Sequence, residues 1–203
     1  MDKGKVIAFL VETGALRFGD FVLKAGDRSP FFVNLGDVCT GRQLRTIGRA
    51  LAECVHEHFP GATILYGPPY KGISLASAAA MAWAELGLGD VGTLYGRKEA
   101  KGHGEKGSFV GRIPTAGDRI VIIDDVMSSG GTKLEAVDLL ASTFGIQAEG
   151  ILVTVDRTRR GWSLGRPGLA FESLLTLPDL VDYLKAAGDP HWTALRDFYE
   201  GEK

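Results

Sequence analysis

Four β-favouring apolar residues in a row, Ile120, Val121, Ile122 and Ile123, are followed at once by two acids, Asp124 and Asp125. A strand with no polar side must be covered on both faces, which places it inside a parallel sheet with helices above and below. After Val126 and Met127 the chain turns small and hydroxylic through Ser128, Ser129, Gly130, Gly131 and Thr132. It then enters a helix with Leu134, Val137, Leu140 and Ala141 on one face. Strand, loop and helix in that order aim loop N–H groups and a helix N-terminus at an anion. In an open α/β sheet the anion would sit outside the carboxyl ends of the strands. Two carboxylates beside such a cradle repel phosphate unless they do something else. They could hydrogen-bond sugar hydroxyls or hold Mg2+ through water, and both uses suit a sugar phosphate.

The rest of the chain fits around this unit. Residues 3–14 read as a helix with Val6, Phe9, Leu10 and Thr13 on one side and Gly14 as its stop. Residues 20–24 and 29–35 are short β-type runs separated by Ala25-Gly26-Asp27-Arg28, a hairpin pattern. Phe31 and Phe32 are adjacent in the second run and must point to opposite faces, so one ring is available for something other than the core. Residues 41–59 form an amphipathic helix through Leu44, Ile47, Leu51 and Val55, ended by Pro60-Gly61. A short strand at 63–66 leads through Gly67-Pro68-Pro69-Tyr70-Lys71-Gly72 into a helix over 73–86, a second strand–loop–helix unit. The helix dipole disfavours a cation at the position of Lys71 unless an anion lies between them. A third strand at 91–95 empties into residues 96–112, a polar stretch that holds Arg97, Lys98, Lys101 and His103. So polar a run builds no core, and a loop of that length reads as an electropositive lid for a polyanion. A strand over 147–156 ends at Arg157, whose planar fork suits a carboxylate. A last strand at 173–177 and helices at 178–187 and 192–199 complete a single domain, 1–203: a hood over about 1–40, a core over about 41–185, and a C-terminal helix.

Composition removes several classes. The net charge of −2 argues against a nucleic-acid binder. Cys39 and Cys54 have no metal-site spacing and read as reduced thiols of a cytoplasmic protein. The apolar run at 6–11 stops at Glu12 and is a poor signal peptide. The alanine-rich segment at 75–84 is too short to span a membrane. His56 and His58, two apart on a helix, face different ways and read as surface residues. Two G-x-G-x-x-G strings, starting at Gly87 and Gly102, do not follow a strand and open a helix, so neither is a dinucleotide fingerprint.

Residues 119–132 resemble the phosphoribosyl-diphosphate (PRPP) signature of the type I phosphoribosyltransferases. Together with Lys24, Ser29-Pro30-Phe31-Phe32, the 67–72 loop, Arg97-Lys98-Glu99-Ala100-Lys101-Gly102-His103-Gly104 and Asp156-Arg157, the chain resembles the bacterial orotate phosphoribosyltransferases. The resemblance covers residues 1–160 and, more loosely, reaches Leu184; nothing is carried over to residues 161–170. Ser128 and Ser129 stand where many members have Thr or Ala, with hydroxyls retained.

The resemblance implies an α/β fold with a central, mostly parallel sheet flanked by helices and a small N-terminal hood. It implies transfer of the phosphoribosyl group from PRPP to orotate, giving orotidine 5′-phosphate and pyrophosphate in de novo UMP synthesis. By the same resemblance, PRPP would meet Lys24, Tyr70, Lys71, Arg97, Lys98, Lys101, His103, Asp124, Asp125 and the loop Val126, Met127, Ser128, Ser129, Gly130, Gly131 and Thr132. Orotate would meet Lys24, Phe31, Phe32, Ser128 and Arg157. The catalytic set would be Lys101, His103, Asp124 and Asp125. Mg2+ would arrive with PRPP and reach Asp124 and Asp125 through water. A homodimer would share lid residues across its two-fold axis, in the cytoplasm and without nucleic-acid or membrane partners. The rival readings are a transferase for another base, a PRPP-sensing regulator that binds nucleic acid, and a structural protein with a degenerate site.

Overall fold

The computed structural model describes residues 2–22, 28–97 and 108–201. Along them the chain forms α1 (Lys3–Glu12), β1 (Leu16–Val22), β2 (Arg28–Val33), α2 (Gly41–His58), β3 (Ile64–Tyr66), α3 (Lys71–Glu85), β4 (Gly92–Gly96) and β5 (Phe109–Gly111). It continues with β6 (Ile120–Met127), α4 (Gly131–Phe144), β7 (Gly150–Asp156), β8 (Ala170–Thr176), α5 (Leu177–Ala186) and α6 (His191–Glu200).

Strands β3 to β8 make one sheet in the order β5-β4-β3-β6-β7-β8. Neighbours run parallel except β5, which is antiparallel to β4. This is the mostly parallel α/β sheet expected from the sequence. Ile120, Val121, Ile122 and Ile123 of β6 are all fully buried. Their side chains alternate as strand geometry requires: Val121 and Ile123 join the core shared with α2, α3 and α5, and Ile120 and Ile122 join the core under α4. Each such burial contributes roughly 1.5–3 kcal/mol, which holds this strand firmly at the centre of the sheet.

The order of strands also sets the site. β3 is followed by α3 and then by β4 on one side, whereas β6 lies on the other side of β3 and is followed by α4 on the opposite face. The order in which strands are added therefore reverses between β3 and β6, the point in such a sheet where ligands bind outside the carboxyl ends.

A two-stranded hairpin, β1–β2, lies outside the main sheet. Leu16 and Phe31 of the hairpin, and Leu35 just after it, belong to the same buried cluster as Leu152, Leu174 and Leu180, so the hood is packed onto the sheet. β1 begins at Leu16, earlier than the hairpin pattern places it, and its register shifts between Phe18 and Phe21. Phe31 is the inward ring of the adjacent pair, with no exposed surface, and stacks edge-on against Phe198 at 5.7 Å. Phe32 is half-buried and packs against Phe21 and under the Arg17 guanidinium.

One stretch departs from expectation. The polarity of residues 96–112 predicts loop throughout, but the chain makes β5 along β4 and buries Phe109 against Tyr66 and Phe144. A single large aromatic and an available edge are enough to add a short strand. The Arg97 N–H donates to the Ser108 carbonyl at 2.6 Å, so residues 97 and 108 are held side by side.

Cys54 lies on the buried face of α2, where burial, then Glu172 and Glu57, push its thiol from 9.0 up to about 12. Cys39 is exposed. A thiol reagent at mildly alkaline pH is expected to label Cys39 and spare Cys54 until the protein unfolds. Peptide mass mapping reads the two sites, and equal labelling rates in the native state would contradict the buried assignment. Below pH 9.0 both folded and unfolded Cys54 keep the proton; as pH rises toward about 12 only the unfolded thiol ionises. Cys54 therefore withdraws stability across that window.

Candidate active site

The β3–β6 ladder stops at Tyr66 and Ile122, while the β6–β7 ladder runs on to Met127 and Asp156. Beyond Ile122, one edge of β6 is open, and the loop of residues 67–72 closes against it. A Cβ on Gly72 would lie 2.8 Å from the Ile123 carbonyl oxygen, and one on Gly67 would lie 2.3 Å from the Gly72 carbonyl oxygen. Only glycine allows this approach, which brings the start of α3 beside the two acids. The Pro69–Tyr70 peptide bond is cis, and Tyr70 is exposed.

Each acid is paired with a lysine from the first turn of a different helix. Lys71 of α3 donates to Asp125 Oδ2 at 2.5 Å. Lys133 of α4 sits 2.8 Å from Asp124 Oδ2, and both side chains are nearly buried. The remaining oxygens accept backbone N–H groups, Asp124 Oδ1 from Asp125 and Asp125 Oδ1 from Val126, both at 2.8 Å. Burial pushes the Asp124 carboxyl above its ordinary value, against the pull of Lys133 and the Asp125 N–H. The sequence predicts an anion beside Lys71, and here the protein itself supplies it, as Asp125. Two lysines against two carboxylates also remove the local negative charge that would otherwise repel a phosphate.

The loop after the acids leads small, mostly exposed residues into the N-terminus of α4. Met127 is buried, Ser128 and Ser129 are exposed, and Gly130 is the N-cap of α4 at φ 87°, where a side chain would be strained. Gly131 and Thr132, at the N-terminus of α4, are exposed.

Arg157 follows the end of β7, and its backbone N–H donates to the Met127 carbonyl at 3.1 Å, which ties it to the end of β6. Its guanidinium lies 5.2 Å from the centre of the Phe31 ring, and Nη2 makes a long 3.5 Å contact with the Ser29 hydroxyl. Arg157 thus spans from the sheet to the hood. Phe31, being fully buried, offers Arg157 a supporting ring, while Phe32 faces the other side of the hairpin. Arg97 is exposed at the end of β4. The expected contributions of Lys24, Lys98, Lys101 and His103 fall outside the described residues.

Sequence reasoning overlooks Lys133 and Ser29. Lys133 stands three, four and seven residues before Ala136, Val137 and Leu140, on the buried stripe of α4. A lysine on such a stripe requires an acidic partner, and that spacing is the available signal. Ser29 belongs to the Ser29-Pro30-Phe31-Phe32 motif, but its contact with Arg157 depends on how the hairpin docks and has no sequence signal.

Residues 40–160 match the family model described as the phosphoribosyl transferase domain. An orotate phosphoribosyltransferase from Thioalkalivibrio sulfidiphilus is 37% identical over 206 residues, which cover 97% of this chain and 95% of the relative. The chain belongs to the orotate phosphoribosyltransferase family. A second orotate phosphoribosyltransferase, from Ralstonia pickettii, is 39% identical over 94% of this chain and 89% of its own. The crystal structure of the family member from Francisella tularensis superposes with a TM-score of 0.76 at 25% identity, covering 95% of this chain and 98% of that one. The similarity to these family members thus extends past residue 160, into the C-terminal helices.

Proposed function

We propose that this chain catalyses transfer of the 5-phosphoribosyl group from PRPP to orotate, releasing pyrophosphate, in pyrimidine synthesis. The observation that carries the reading is that a small, hydroxylic loop, a lysine-paired diacid and Arg157 meet at the carboxyl ends of the neighbouring strands β6 and β7. The loop of Val126, Met127, Ser128, Ser129, Gly130, Gly131 and Thr132 takes the 5′-phosphate on its N–H groups and hydroxyls. Asp124 and Asp125 take the ribose hydroxyls. Lys71 exchanges Asp125 for the diphosphate, with Tyr70 and Arg97 beside it. Lys98, Lys101 and His103 complete the diphosphate pocket, part of the set coming from the second subunit of a homodimer. Arg157 reads the orotate carboxylate, with Lys24 and Ser128 around the base and Phe31 supporting the guanidinium; Phe32, on the far side of the hairpin, packs the hood instead.

Breaking the C1′–diphosphate bond leaves positive charge on the sugar and negative charge on the leaving group. A ring nitrogen of orotate attacks C1′, so no protein nucleophile is needed. The protein positions the reactants and neutralises the leaving anion. Asp124 and Asp125 would meet Mg2+ carried by the diphosphate through water, with Asp125 released as Lys71 turns to the diphosphate. When bound, Mg2+ supplies positive charge to the leaving group. Among the described residues no helix is long and apolar enough to cross a membrane, and a cytoplasmic location is part of this proposal.

The test is loss of orotate absorbance with PRPP and Mg2+, beside parallel reactions with uracil, hypoxanthine and adenine. Orotate alone should react. Turnover of another base in its place would overturn the Arg157 assignment and keep the PRPP site. The Arg157→Ala variant removes a charged pairing worth roughly 1.5–3 kcal/mol, so the KM for orotate should rise about 10- to 150-fold. The KM for PRPP should change little, and an unchanged orotate KM would show that Arg157 does not read the base.

A further inference from the structure

The segment after β7, which carries no sequence signature of its own, comes up against the phosphate loop. A Cβ on Gly130 would lie 3.3 Å from Leu164 Cδ1 and 3.5 Å from the Trp162 indole, with Met127 sulfur at 3.6 Å on the inner side. Gly130 is thus enclosed between a buried Met127 and an outer pair of apolar side chains, at the point where its positive φ turns the chain into α4. Trp162 is anchored from behind by Phe171 of β8, ring centres 5.7 Å apart and edge-on, and its backbone N–H donates to the Arg159 carbonyl at 3.1 Å. Trp162 is partly exposed, and on its other side a cavity of about 420 Å³ extends toward Tyr199 and Pro178. The loop itself has no side-chain hydrogen bond capping α4, so packing acts beside backbone hydrogen bonds to the Met127 and Gly130 carbonyls in holding its shape.

We propose that Trp162 is a positioning residue for the phosphate loop: with Leu164 it forms the outer wall that holds Gly130 and the neighbouring N–H groups at the geometry a 5′-phosphate requires. The inference rests on the PRPP reading of that loop and adds a residue from outside it. A phosphate ester entering the loop changes the surroundings of the indole, so Trp162 also reports occupancy.

Ribose 5-phosphate is the probe, titrated by tryptophan emission and by calorimetry into the full-length chain. Wild-type protein should bind with a change in emission, and Trp162→Phe should bind nearly as well without that change. Trp162→Ala should bind about ten-fold more weakly, the equivalent of about 1.4 kcal/mol. In turnover it should raise the KM for PRPP by a similar factor and leave the KM for orotate near wild type. Leu164→Ala, with a thermal midpoint for each variant, covers the case in which Trp162→Ala does not fold. Undiminished binding by Trp162→Ala or Leu164→Ala, equal losses for PRPP and orotate, or no binding of ribose 5-phosphate by wild-type protein would each overturn the wall. Binding with the expected pattern but no orotate turnover would uphold the wall and sink the acceptor assignment instead.

Discussion

Lys133→Leu is expected to lower the unfolding free energy by about 3–5 kcal/mol, because it leaves the Asp124 carboxylate buried without its cation. Lys133 and Asp124 are only 9% and 12% exposed, so solvent does little to screen the loss. One effect opposes it: Lys133 sits in the first turn of α4, and removing a cation from a helix N-terminus returns roughly 0.3–1 kcal/mol. That gain is too small to offset an unpaired buried carboxylate. The double variant Lys133→Leu/Asp124→Ala should recover much of the stability, since neither buried charge is then left without its partner. It should remain inactive if Asp124 holds the ribose. Urea unfolding of the wild type, both single variants and the double variant closes the cycle. A loss below about 1 kcal/mol for Lys133→Leu would mean that the pair is effectively solvated and that Asp124 does not depend on it.

The second large effect is kinetic. Lys101→Ala is expected to lower kcat about 10²- to 10³-fold, or roughly 2.7–4 kcal/mol, by analogy with loss of one oxyanion donor. The charge that Lys101 would neutralise develops on the diphosphate only as the C1′ bond breaks, so the loss should fall on kcat, with orotate binding nearly intact. Steady-state kinetics in both substrates separates turnover from binding. A kcat equal to wild type would remove Lys101 from the catalytic set, and a matching rise in orotate KM would move it to the base pocket.

Much of the architecture can be read from residue patterns because the informative residues are neighbours in sequence. Ile120 to Ile123 declare a doubly covered strand, and the acids, loop and helix follow without interruption. What cannot be read depends on contacts between distant parts of the chain. The spacing of Lys133 to Val137 and Leu140 hints at the buried stripe of α4, but that Asp124 is its partner emerges only from the fold. The helix dipole correctly requires an anion near Lys71, but Asp125 is 54 residues away in sequence. Alternation shows that Phe31 and Phe32 must differ, and the docking of α6 through Phe198 decides which one is buried. β5 escapes a sequence reading because three residues in a polar setting carry no period, and only the free edge of β4 makes them a strand.

The position of β6 between β3 and β7 also bears on how the chain is made. β3 and β4 leave the ribosome before β6, so one side of β3 has no ladder partner until Ile120 to Ile122 arrive. In that interval the apolar Ile64, Leu65 and Tyr66 present an unsatisfied strand edge, the kind of surface that pairs with other chains. A nascent fragment ending before residue 119 would therefore be prone to self-association. The acid pair is translated with the strand that closes this edge, so the two carboxylates and a protected sheet edge appear in the same step.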